Sequence, residues 1–228
     1  MKVIVLADGD APDRATLDAA WPGWAVGTEV VIAADGGARH AEGLELVVDT
    51  WVGDGDSIAA DALDALAARG VVIRRASVAK DESDTELAVL EALTHDPAEI
   101  AIIGALGGIR FDHSLANVGL LAMPQLAGRA ALLIDARTRI RLISAPDAAG
   151  GAVRMPLPGR LGDSVSLLPV GEGVVGVTTE GLEYPLADEP LPPGPARGLS
   201  NVRVTPDAAV TVRAGRLLAI ETPATLVG

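Results

Sequence analysis

From Gly53 to Ser57 the chain reads Gly-Asp-Gly-Asp-Ser, two carboxylates two residues apart where an apolar run gives out. In extended backbone Asp54 and Asp56 point the same way with Cα atoms roughly 6.6 Å apart, so one ion or a pair fits between them. Asp-Gly after a strand is by itself the mark of a solvated turn. Four other segments present acid after an apolar run, three of them together with glycine. Asp8-Gly9-Asp10 follows "KVIVLA", and Asp35 opens Asp-Gly-Gly after "EVVIAA". Asp81 and Asp84 lie in "KDESD" after "VVIRR", and "EIAIIGAL" leads through Gly107-Gly108 to Arg110, Asp112 and His113.

Two carboxylates about 5 Å apart at an effective dielectric of about 20 repel by roughly 3 kcal/mol, so such a cluster stays ionised only with cations. Oxygen donors without cysteine and with few histidines select a hard ion, Mg2+ before Zn2+. Mg2+ held by few carboxylates, beside glycines that let phosphate approach the backbone, describes a nucleotide-handling site. Lys80 is one of only two lysines in the chain and stands inside the acidic segment, as a residue kept for chemistry would. A helix opening at Arg110 places His113 and Asn117 one turn apart on one face. Asp112 falls in its first turn, where the dipole favours an anion. His40 and His95 read as ordinary helix-surface residues.

These residues need a frame. Over residues 1–144 short β-branched runs alternate with stretches of helical spacing at 13–21, 58–70, 84–96 and 112–128. Strands without polar interleaving are buried on both faces, which predicts a mostly parallel Rossmann-like α/β sheet with helices on both faces. Open sheets of this kind bind ligands beyond the carboxyl ends of their strands, where all five acidic segments would then meet. Ser83 with Glu86 marks a helix start, and Gly70 a helix end. After residue 150 glycine and proline cut short strands every eight to twelve residues, which predicts an antiparallel β-sandwich or small barrel. The boundary falls in "SAPDAAGGA", 144–152. A GxGxxG at Gly171, Gly173 and Gly176 has no helix after it and reads as a hairpin turn, not a dinucleotide fingerprint.

Composition sets limits. The 228 residues are 49% hydrophobic, enough for one large domain or two modest ones. No window reaches the roughly 18 apolar residues of a membrane span, and the first residues read as a buried strand, so a cytoplasmic location is expected. Zero cysteines exclude disulfides, thiolate metal sites and thiol chemistry. A net charge of −13 and 2% aromatics argue against nucleic acid, and favour cations or a cationic small molecule as partners. There is no GxxxxGK[ST] loop, no GxSxG elbow and no HExxH.

Taken in order, "ADGGA" (34–38), "GDGDS" (53–57), "KDESDTE" (80–86), "GALGGIRFDHSLAN" (104–117), "GDSVSLLPV" (162–170), "VTTEGLEYPL" (177–186) and "GLSN" (198–201) resemble the thiamine pyrophosphokinase (thiamine diphosphokinase) family. The resemblance implies an ATP-binding α/β domain (1–146), a thiamine-binding and dimerisation sandwich (147–228), and a homodimer with thiamine at the subunit interface. It implies that the thiamine hydroxyl attacks the β-phosphorus of ATP and that AMP leaves. It makes Asp54, Asp56 and Asp84 the Mg2+ ligands, and Asp35 and Asp112 the carboxylates nearest the reacting hydroxyl. Lys80 and Arg110 neutralise charge; Ser57, Asp81, Arg110, His113 and Asn117 contact ATP; Thr179, Ser200 and Asn201 contact thiamine. A diphosphokinase for another primary alcohol, such as a hydroxymethylpterin, and a non-catalytic Mg-nucleotide sensor are the competing readings.

Overall fold

The structure is a computed structural model that describes residues 1–146 and 151–226. Two compact units divide it, Met1–Ala136 and Arg137–Gly228.

The first unit runs β1 (Lys2–Leu6), α1 (Arg14–Ala20), β2 (Thr28–Ala34), a 3-10 turn (Asp35–Arg39), α2 (His40–Gly43), β3 (Thr50–Gly53) and α3 (Ala60–Ala68). It continues with β4 (Val72–Arg75), α4 (Asp84–Leu93), β5 (Glu99–Ile103), α5 (Phe111–Leu120) and β6 (Ala130–Ile134). The strands lie in the order β4-β3-β2-β1-β5-β6, every pair parallel. From β1 the chain winds out through β2 to β4, then returns to β1's other side for β5 and β6. That reversal opens a crevice at the strands' carboxyl ends, between β1 and β5.

Alternation along the strands fills both faces. Ile4, Leu6, Val31, Ala33 and Ile103 join Leu17 of α1 and Leu63 and Leu66 of α3 in one apolar cluster. The opposite face is buried too (Val5, Ile32 and Ile102 are 0% exposed), and α4 packs across β1, β2 and β3. Ser83 Oγ accepts the Glu86 N–H at 3.1 Å and so starts α4; Gly70, at φ +88°, ends α3. Two elements are shorter than their sequence pattern. In the apolar run 44–52 only Thr50–Gly53 is strand, because Glu45 turns the chain at φ +54° and Leu44 and Val48 pack into the core from a loop. The helical pattern 112–128 breaks at Leu120, and Pro124, which has no N–H to continue a helix, opens a separate 3-10 turn. Among the described residues no helix is long and apolar enough to cross a membrane.

The second unit is antiparallel: β7 (Arg139–Ala145), β8 (Val153–Pro158), β9 (Ser164–Glu180), β10 (Glu189–Leu191), β11 (Asn201–Val202), β12 (Asp207–Val212) and β13 (Ala214–Thr222). β13 lies between β7 and β9, β12 between β8 and β9, and β10 and β11 also pair with β9. The Gly171/Gly173/Gly176 motif is not a hairpin turn. It lies inside β9, where pairing with β13 jumps from Val170 to Val174, and positive φ at Gly171 and Gly173 accommodates the extra residues as a bulge. Val165, Val177, Val210 and Leu217 share one core. Glu221, 0% exposed, accepts from Arg139 (2.6 Å), Arg141 (2.6 Å) and Arg203 (2.7 Å). The units part earlier in the chain than 144–152, because β7 pairs along its whole length with β13. Residues 147–150 of that stretch lie outside the described residues.

Candidate active site

The carboxyl ends of β1, β2 and β3, with the loops entering α4 and α5, enclose a cavity of about 740 Å³. Asp35 is its buried acid. The residue follows β2 at φ +43°, and its side chain is swallowed by the turn, 1% exposed. Asp35 Oδ2 accepts the Gly55 N–H at 3.2 Å, whereas Oδ1 has no hydrogen-bond partner among the described residues. Trp51 Nε1 donates to the Asp35 carbonyl at 2.9 Å and fixes the turn against β3. A Cβ at Gly53 would meet Asp35 Cβ at 2.9 Å, so this glycine makes room for an aspartate as well as for any ligand. Burial pushes the Asp35 carboxyl above the usual carboxylate range; the Gly55 N–H pulls it back, and the charge of Asp84 pushes it further up.

Asp35, Asp54 and Asp84 each bring a carboxylate oxygen to within 4.8 Å of the others. Lys80 bridges two of them, its Nζ 3.0 Å from Asp54 Oδ2 and 2.7 Å from Asp84 Oδ1. That hydrogen bond, then the Asp56 N–H, holds the Asp54 carboxyl below its ordinary value. Asp56 is not in the cluster. Gly55 at φ +86° breaks the extended geometry that aligned Asp54 with Asp56, and the exposed Asp56 carboxylate accepts from Ser57 Oγ at 2.9 Å. Asp56 and Ser57 still border the cavity. Three oxygen donors, one of them with a buried lone pair that nothing satisfies, suit a hard divalent cation, and the set fits Mg2+.

On the far wall, His113 and Asn117 border the cavity as their spacing predicts, and Asn117 Nδ2 donates to the Ala105 carbonyl at 2.9 Å. Arg110 borders it too, its guanidinium spent on Asp112. Hydrogen bonding to Arg110 drives the Asp112 carboxyl down to about 2. Asp112 and Asp81 are exposed and do not line the cavity.

The β1 loop is gripped by two residues after β2 to which the sequence assigned no site role, Arg39 and His40. Arg39 donates to the Gly36 carbonyl (2.9 Å), to the Asp8 and Gly9 carbonyls, and to the Asp8 carboxylate. His40, expected on an open helix surface, is half-buried with Nε2 2.7 Å from the Gly9 carbonyl. Burial, then the neighbouring Arg39 charge, lowers its pKa, so neutral His40 donates through Nε2. Asp10 Oδ2 accepts the Gly108 N–H at 2.9 Å and joins the β1 loop to the loop carrying Arg110. The only sequence signal for these contacts was that Arg39 and His40 directly follow "ADGGA".

The chain matches the profile of "Thiamin pyrophosphokinase, catalytic domain" over residues 24–132 and that of "Thiamin pyrophosphokinase, vitamin B1 binding domain" over 152–217. It belongs to the thiamin pyrophosphokinase family. Its members transfer diphosphate to thiamine, and this chain is an enzyme of that kind.

Solved structures of the family share the fold. That of thiamine pyrophosphokinase from Bacillus subtilis aligns with TM-score 0.80 at 24% identity over 98% of this chain and 99% of its own. A thiamin pyrophosphokinase family protein from Enterococcus faecalis aligns with TM-score 0.79 at 26% identity, covering 97% and 99%. The Candida albicans enzyme aligns with TM-score 0.74 at 16% identity, covering 97% and 90%. No curated protein sequence matches the chain.

The region matching the family's vitamin B1 binding domain contains the other three expected site residues. Thr179 and Asn201 are both 7% exposed. Ser200 is exposed at φ +57°, and its N–H donates to Ser166 Oγ at 3.1 Å.

Proposed function

We propose that the cavity of the first unit binds Mg2+ and ATP, and that the enzyme passes the terminal diphosphoryl group of ATP to the primary hydroxyl of thiamine, with release of AMP. The observation that carries this reading is the unpartnered, buried Oδ1 of Asp35 beside the carboxylates of Asp54 and Asp84. Asp35, Asp54 and Asp84 would hold Mg2+, with Asp56 at the cavity edge as a further donor. When bound, the ion supplies positive charge to polyphosphate oxygens.

The chain's own groups do the rest. Lys80 and Arg110 offset charge on the reacting phosphates, and Ser57, His113 and Asn117 hold the nucleotide in line. Asp35, buried beside the other two carboxylates, accepts the hydroxyl proton as general base. Asp112 holds Arg110, and Asp81 stands exposed outside the cavity lining. Ser200 contacts thiamine in the second unit. The working form is a cytoplasmic homodimer; support for it is the family resemblance, as the net charge of −13 supports a cationic acceptor and no nucleic-acid partner.

The test is incubation of the purified protein with ATP, Mg2+ and thiamine. AMP and thiamine diphosphate are expected in equal amounts, with neither formed when thiamine is omitted. ADP in place of AMP would overturn the diphosphoryl assignment, and turnover with a hydroxymethylpterin but not thiamine would overturn the acceptor.

A further inference from the structure

Thr179 of β9 and Asn201 of β11 act on the same short segment. Thr179 Oγ1 accepts the Leu186 N–H at 2.8 Å, and the Thr179 N–H donates to the Leu186 carbonyl at 3.0 Å. Asn201 Oδ1 accepts from the N–H groups of Tyr184 (3.0 Å) and Val202 (2.9 Å), and its Nδ2 donates to the Tyr184 carbonyl at 2.6 Å. Both lone pairs of the Asn201 amide oxygen are thereby in use, and both side chains are buried. The Thr179 hydroxyl oxygen and the Asn201 amide oxygen are thus committed to the backbone of this segment, and both side chains are turned from solvent. The held segment is the reverse: Tyr184, tied to Asn201 through its own backbone, is 57% exposed. The Glu183 N–H, which donates to the Val202 carbonyl at 2.9 Å, adds a third tie to β11.

We propose that Thr179 and Asn201 are positioning residues, clamping Tyr184–Leu186 so that this segment forms a fixed wall of the acceptor site, rather than thiamine contacts. The assignment rests on the reading that the second unit holds thiamine. Of the three expected contacts, Ser200 alone keeps an exposed side chain, with no hydrogen-bond partner for its hydroxyl among the described residues. The two anchors reach the segment from different strands, β9 and β11, so loss of either one frees one end of it.

The full-length protein tests this with Thr179→Val, Thr179→Ser and Asn201→Asp. Thr179→Val removes the acceptor at nearly constant shape, Thr179→Ser keeps it, and Asn201→Asp turns the donor to the Tyr184 carbonyl into a repelling oxygen. Thiamine KM is expected to rise tenfold or more in Thr179→Val and Asn201→Asp, with ATP KM unchanged and with recovery in Thr179→Ser. Hydrogen exchange of the Leu186 amide should quicken in Thr179→Val, and that of the Tyr184 amide in Asn201→Asp. An unchanged thiamine KM in folded variants, or an equal rise in both KM values, overturns the proposal. A wild-type protein that does not turn over thiamine defeats the functional reading instead. Exchange then decides the clamp by itself: quickened amides uphold it, and unchanged amides overturn it.

Discussion

Asp35 and Asp54 bring carboxylate oxygens within 4.8 Å of each other from different strand ends, one oxygen of Asp35 unpartnered and one of Asp54 hydrogen-bonded to Lys80. Their pKa values are displaced in opposite directions. Burial raises Asp35, and Lys80 lowers Asp54.

Asp35→Asn should cut kcat/KM for thiamine diphosphate formation by about 10²–10⁴-fold, the range of a lost general base. The same change should leave thermal stability at pH 7 equal or higher. A raised pKa means that ionised Asp35 opposes folding above that value, whereas the opposition vanishes below the unfolded value near 3.9. The advantage of Asn over Asp in melting temperature should therefore shrink as pH falls toward that value. A melting temperature that drops sharply at neutral pH in Asp35→Asn would contradict the assignment.

Lys80→Met deprives Asp54 and Asp84 of their shared counter-charge. Its melting temperature without Mg2+ should fall below that of the wild type, and added Mg2+ should raise it by more than it raises the wild type. The lowered pKa of Asp54 stabilises the fold fully above the unfolded value, an effect lost as pH falls through the folded one. Removing Lys80 should shift that acid-side loss to higher pH. Equal Mg2+ responses in the two proteins would show that Lys80 and the ion do not share ligands.

Asp112→Asn should cost far less turnover than Asp35→Asn, within about tenfold. A carboxyl held at about 2 by Arg110 is ionised throughout the working range and a weak base, and it lies outside the cavity. The pH profile above pH 4 should keep its shape. A loss matching that of Asp35→Asn would put the proton acceptor at Asp112.

Gly9→Ala should destabilise by about 1–3 kcal/mol and abolish turnover. Its Cβ would lie 2.4 Å from the Gly104 carbonyl oxygen and 2.6 Å from that of Gly107, both backbone, so the β1 and β5 loops must part. Paired chemical denaturation and activity measurements check this. Retained activity with an unchanged midpoint would mean that the loops yield at no cost.

Glu221→Ala should destabilise the protein by about 3–5 kcal/mol, the cost of leaving buried charge unpaired. Arg203 is fully buried against Glu221, and burial already presses its pKa below the usual arginine value. A denaturation midpoint within error of the wild type would show that the arginines find other partners.

Much of this was legible in the sequence. Unbroken β-branched runs mark strands buried on both faces, and their alternation with helical spacing dictates a parallel sheet, because only a crossover returns the chain in the same direction. Acid at successive strand ends then implied one shared edge. Local signals of this kind depend on neighbours in the chain, and Ser83 and Gly70 cap their helices as read. The glycine bulge in β9 was misread because a turn and a bulge use the same positive φ, and only the partner strand distinguishes them.

The sequence by itself therefore determined the class of each unit, the family, and the set of carboxylates from which a cation site is drawn. Which three of them meet was decided by tertiary structure. A single positive φ at Gly55 turned Asp56 away, and the turn at Asp35 buried its acid between β3 and Gly55. Long-range packing likewise gave Arg39 and His40 to the Gly9 carbonyl, thirty residues away in the chain. It gave Thr179 and Asn201 to the backbone of Tyr184 and Leu186. A side chain's type and spacing limit what it can bond; which backbone group arrives beside it is settled only when the strands are in register.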